Sequence, residues 1–141
     1  MVGRKRHILV DTLGLLIASR VEPAHLHGSR TRDQRGAKGL LAGLAPLQPR
    51  LAVVYADGAY AGEHLRGWCA AHAGVELRVV RRPERHRFVV IPKRWIVERT
   101  FAWLGRNRRL AKDHEARPQT TEVLMAVAMI GLTLRRLARS G

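Results

Sequence analysis

The sequence predicts an α/β fold closed by a C-terminal helix, on three observations. The first residues pattern as a β-hairpin, the middle alternates strand, helix and strand, and the last third carries helical apolar spacing. At 141 residues the chain is long enough for one domain with a real core and too short for two ordinary ones, so residues 1–141 are expected to form a single domain.

A basic lead, Gly3-Arg4-Lys5-Arg6-His7, runs into Ile8 to Thr12 as a first strand. Leu13-Gly14 reads as a turn and Leu15 to Val21 as the returning strand, with Asp11 and Gly14 near the turn. Apolar residues at Ala37, Leu40, Leu41 and Leu44 predict a helix over 30–44, which Pro46 and Pro49 stop. The run Leu51 to Ala56, ending in Asp57-Gly58, has the pattern of a strand buried on both faces. A helix over 62–73 closed by Gly74 leads to the β-rich run Val75 to Val80, and this order implies a parallel βαβ unit. Arg81 to Arg87 is a cationic loop, Phe88 to Ile91 a short apolar segment, and Pro92 opens a helix expected to run through Arg109. Pro118 and Thr120 open a last helix, 122–139, whose apolar stretch Val123 to Leu134 reads as a core helix, too short to span a membrane.

Lys and Arg number 26 against 11 for Asp and Glu, a net charge of +15 that calls for a polyanionic partner. Most of these cations are arginine, whose planar fork matches phosphate. The single cysteine, Cys69, excludes an internal disulfide, and the N-terminus lacks a signal-peptide pattern, so a cytoplasmic location is expected. His64, Cys69 and His72 share one predicted helix, but a single helix does not surround a tetrahedral metal.

Two acids stand out. Asp57 sits at the carboxyl end of a strand in a parallel unit, where open α/β sheets place their ligands, beside two small residues and Tyr60, an aromatic able to stack or hydrogen-bond. Glu98 lies in the middle of an amphipathic helix among arginines. Helical geometry puts Arg94, Glu98, Gly105 and Arg109 within about 40° of one line, with Ile96, Trp103, Leu104 and Leu110 on the other side. Two carboxylates offer hard oxygen ligands for Mg²⁺, or Mn²⁺ in its place; the alternatives are a turn residue for Asp57 and an ion pair with Arg94 for Glu98. Trp95 and Trp103 are either base-stacking platforms or core residues.

Three separated motifs carry a family resemblance: Gly3 to Gly14, Tyr55 to Gly62, and Pro92 to Leu104 continued by Arg108 to Glu115. In this order they resemble bacterial insertion-sequence transposases of the DDE class, insertion-sequence-five group. The resemblance implies a ribonuclease-H-like core in which three acids hold two divalent metals for strand cleavage and transfer at transposon ends. Asp57 falls on the family's second acid and Glu98 on its third. Tyr60, Lys93, Arg94, Arg106 and Arg109 are the implied DNA contacts, although the family's Tyr and Lys around the third acid fall on Ile91 and Gly105. The family's first acid lies on a strand ahead of the Gly3–His7 segment, so the core is expected to be incomplete, with its opening central strand missing. Asp11 is expected to serve the hairpin turn instead. The implied partners are DNA at transposon ends, an upstream-frame product or full-length transposase, and a second copy of the chain. Activity of the isolated chain is expected to be absent or partial. A non-catalytic DNA-binding or inhibitory transposase fragment is the alternative, and a ribosome-associated RNA-binding protein is a third that rests on charge alone.

Overall fold

The computed structural model describes residues 3–23, 30–44, 46–80 and 94–141. In chain order the elements are β1 (Arg4–Val10), β2 (Leu16–Pro23), α1 (Arg30–Leu41), β3 (Val53–Ala56), α2 (Glu63–Trp68), β4 (Glu76–Val79), α3 (Arg94–Gly105), α4 (Arg108–Ala111) and α5 (Pro118–Ser140). A 3-10 turn, Gly58–Tyr60, follows β3, and a π-helical turn, Cys69–Ala73, prolongs α2. The chain forms two compact units, Met1–Leu26 with Ile96–Gly141, and His27–Trp95.

In the first unit β1 and β2 pair antiparallel from Arg4↔Pro23 to Leu9↔Ala18, with a bulge between Leu9 and Val10. One Asp11 carboxylate oxygen accepts the amides of Leu13 and Leu15, each at 2.9 Å, and Gly14 takes the left-handed conformation at φ 80° that a residue with a Cβ resists. The expected role of Asp11 in the turn therefore holds. β1 begins at Arg4, ahead of the expected Ile8, because its cations have partners: Arg4 bonds Asp113 just after α4, and Arg6 bonds the Leu110 carbonyl within α4. Val21, Leu104, Leu110, Met125 and Met129 make the core, with Ile8, Leu15, Leu16, Leu124, Ala128 and Leu132 packed around it.

One expectation fails in this unit, and a second holds on one face only. The helix carrying Glu98 ends at Gly105, and Asn107 restarts the chain as α4 by accepting the Arg109 amide at 3.1 Å, so Arg109 is not on the Glu98 helix. α5 is a core helix on one face only: Met125 and Met129 are buried, while Val123, Val127, Ile130 and Leu134 are exposed.

In the second unit β3 and β4 run parallel, in register from Val53↔Glu76 to Ala56↔Val79, as the strand-helix-strand alternation predicts. Gly74, at φ 64°, ends the intervening helix. β3 is not buried on both faces. Val54 is buried, but Tyr55 is 40% exposed in a two-stranded sheet, where its register partner Arg78 donates to the phenol oxygen at 3.2 Å. Arg78 also bonds Glu76 and thereby holds that carboxyl below its usual pKa. The core comprises Leu41, Leu44, Val54, Leu65, Cys69, Ala73, Val75 and Leu77.

Candidate active site and nucleic-acid surface

Asp57 follows the last residue of β3 and caps the 3-10 turn, its Oδ1 accepting the Ala59 amide at 2.9 Å. Its carboxylate is exposed, and among the described residues only Oδ1 is engaged in a hydrogen bond. The turn thus fixes the side chain at the strand's carboxyl end with one oxygen turned to solvent. Tyr60 ends the same turn and is half-buried.

Glu98 is exposed, midway along α3, on the side away from Ile96, Thr100 and Leu104. Thr100 locks this helix to the hairpin: its buried hydroxyl donates to the Gly14 carbonyl at 2.7 Å, and Arg99 donates to the Leu13 carbonyl at 2.9 Å. The guanidinium groups of Arg99 and Arg136 stand over the Trp103 ring, 4.6 and 4.3 Å from its centre, as cation–π partners. Asp57 and Glu98 belong to different units. Arg106 and Arg109 are exposed, and Arg109 donates to Glu115 at 2.7 Å. Lys93, the side chain of Arg94, the Arg81–Arg87 loop and the Phe88–Ile91 segment lie outside the described residues.

No group of three or more His, Cys, Asp or Glu side chains gathers as a metal site among the described residues. Both exposed carboxylates are hard oxygen donors of the kind Mg²⁺ takes one or two of, so the donor chemistry fits. The helical His64, Cys69 and His72 do not form a zinc site. His64 pairs with Lys38 at 2.8 Å and His72 stacks on Trp68, while Cys69 is fully buried, which raises its thiol pKa against a smaller opposing pull from Lys38.

A cluster that sequence reasoning missed joins two of the motifs. Arg4 donates to Asp113 at 3.0 Å, Arg6 donates to the Leu110 carbonyl at 2.9 Å and lies 3.9 Å from Asp113, and buried Thr121 donates to the same carboxylate. In the sequence Arg4 and Arg6 read as a basic lead ahead of the first strand, and nothing there links them to an acid more than a hundred residues away. A cleft of about 860 Å³ opens beside this cluster, lined by Arg4, Lys5, Arg6, Lys112 and His114 among others. Asp113→Ala leaves two mostly buried guanidinium groups without their counter-charge, and urea unfolding should show a loss of about 2–3 kcal/mol. A loss below about 0.5 kcal/mol would show that the cluster contributes nothing to stability.

The fold and these groups define a strongly cationic α/β protein with exposed carboxylates at a strand end and on a helix. The sequence matches the family described as Transposase DDE domain over residues 2–132. It is 33% identical over 122 residues to a Burkholderia cepacia protein whose assigned role is transposase for insertion sequence element IS402, an alignment covering 82% of this chain and 55% of that protein. The chain belongs to the DDE transposase family of insertion sequences. It spans about half the length of that curated relative. No solved structure matches it.

Proposed function

We propose that residues 1–141 serve as part of a catalytic domain in DNA transposition, inactive or only partly active by themselves, with Asp57 and Glu98 as divalent-metal ligands in a ribonuclease-H-like arrangement. The observation that carries this reading is Asp57 itself: a carboxylate at the carboxyl end of a parallel strand, oriented by its own cap, with an oxygen left over. Bound Mg²⁺ or Mn²⁺ would polarise a phosphodiester and lower the pKa of a bound water. Tyr60, Lys93, Arg94, Arg106 and Arg109 hold the DNA backbone at transposon ends, and the three motifs support placement in the insertion-sequence-five group. The protein works in the cytoplasm, where its DNA lies.

Mn²⁺ binding followed by electron paramagnetic resonance tests the ligand assignment. Asp57→Ala and Glu98→Ala should each weaken binding about tenfold or more. Unchanged Mn²⁺ affinity in both variants removes the metal role. The cleft beside Arg4, Lys5 and Arg6 favours a second reading, a non-catalytic DNA-binding fragment, because it lies within one unit and requires neither acid. That reading predicts salt-dependent duplex binding that survives both substitutions.

A further inference from the structure

We propose that the cleft between β1 and the stretch joining α4 to α5 is a nucleotide site, which takes a phosphate at Lys112 and His114 and a flat base against Phe101. Its walls are residues 3–6 and 110–115, with Phe101 of α3, and all of them belong to the hairpin unit. The volume of about 860 Å³ is that of a small-molecule site, which typically runs from roughly 300 to 1,000 Å³. Neither Asp57 nor Glu98 lines it, so the site is separate from the proposed metal ligands.

Charge calls for the phosphate. Four cations, Arg4, Lys5, Arg6 and Lys112, line the cleft against two acids, Asp113 and Glu115. Both acids are already matched, Asp113 by Arg4 and Arg6, and Glu115 by Arg109 from outside the lining, so the cleft keeps a positive surplus. Exposure alternates along the connecting stretch: Lys112 and His114 are exposed, Asp113 and Glu115 half-buried. Asp113 turns inward to Arg4 and Thr121 and accepts the Glu115 amide at 3.2 Å, which pins the stretch with Lys112 and His114 outward. The side chains of Lys112 and His114 hold no hydrogen bond or ion pair among the described residues. Because these bonds already fix the wall, little of it has to be ordered when an anion arrives.

The apolar part of the lining selects a nucleotide among anions. Phe101 is half-buried and Ala111 exposed, a patch that inorganic phosphate or an acidic peptide leaves uncovered. Every base has a face that stacks on an aromatic ring. A duplex keeps its bases stacked on one another, so its phosphates meet the rim cations while nothing in it covers Phe101.

Isothermal titration calorimetry of the whole chain with deoxyadenosine monophosphate tests the site. Saturable binding is expected with a Kd below about 1 mM, at least about tenfold tighter than inorganic phosphate or deoxyadenosine, each of which fills half of the site. Lys112→Glu, at an exposed position, and Phe101→Leu, which keeps an apolar side chain and removes the ring, should each weaken binding about tenfold or more while urea unfolding matches the wild type. Arg139→Ala, an exposed cation elsewhere, and the pair Asp57→Ala with Glu98→Ala should leave it unchanged. A labelled oligothymidylate followed by fluorescence anisotropy separates two sources of the same chemistry. A single strand that binds more tightly than the monophosphate identifies unpaired DNA as the ligand, and one that binds no more tightly identifies a free nucleotide. Duplex binding needs only the rim cations, so a chain that binds duplex but neither nucleotide probe overturns the site and leaves the DNA-binding reading standing. Equal affinity for inorganic phosphate and the monophosphate, displacement by a polyglutamate peptide, loss of binding in the double acid variant, or indifference to both Lys112→Glu and Phe101→Leu also overturns it.

Discussion

Replacing Asp57 or Glu98 with alanine is expected to lower transposition of the element about 10³-fold or more, because each change removes one charged oxygen donor from the proposed metal site. Excision and insertion frequencies, scored in cells carrying the element, supply the measurement. Asp57 also caps the turn after β3, so its alanine variant carries a stability cost of about 1 kcal/mol that could be mistaken for a catalytic one. Asp57→Asn separates the two. The asparagine oxygen still accepts the Ala59 amide, while the charge is gone. Glu98 is an exposed mid-helix residue, a position where alanine has a favourable helix propensity. Wild-type transposition by Asp57→Asn would sink the metal role and leave Asp57 as a turn residue.

Gly14→Ala should destabilise the hairpin unit by about 3 kcal/mol, with a left-handed alanine costing 1–2 kcal/mol and overpacking the rest. Gly14 has φ 80°, and an added Cβ would stand 2.9 Å from the Thr100 hydroxyl and 3.1 Å from the Trp103 ring. Neither neighbour has room to retreat. Thr100 is fully buried and bonded to the Gly14 carbonyl, and Trp103 is tied by cation–π contacts to Arg99 and Arg136. Urea unfolding read by tryptophan fluorescence measures the loss. Gly105→Ala is the control, since nothing lies within 4 Å of its added Cβ and helix propensity favours alanine there. Equal stabilities for Gly14→Ala and wild type would mean that the turn relaxes freely.

The local rules were readable in the residues. Alternating strand and helix patterns gave the parallel β3–β4 pair, Gly74 marked the end of the helical segment, and Asp11 with Gly14 marked the turn. Each depends on a few neighbouring residues. The break between α3 and α4 was legible in principle, because Gly105 and Asn107 are a stop and a start, yet continuous apolar spacing through Leu110 outweighed them. The Arg4–Asp113–Arg6 cluster was not legible, since pairing across such a separation is fixed by how elements pack and not by spacing along the chain. Asp57 and Glu98 emerged from position and motif. A turn at Asp57-Gly58 was readable as an alternative, while the hydrogen bond by which that turn orients the carboxylate and the exposure of Glu98 came from the structure.

The interrupted make-up of the hairpin unit bears on how the protein is born. Residues 27–95 are contiguous and can fold while the ribosome is still working, but β1 and β2 find their core residues only after α4 and α5 have been translated. Until then the hairpin leaves the ribosome with Arg4 and Arg6 lacking their acid and both strand edges open. Any premature stop ahead of Asp113 would therefore cost not a tail but the packing of β1 and β2, and synthesis itself becomes the timer that decides when this unit closes.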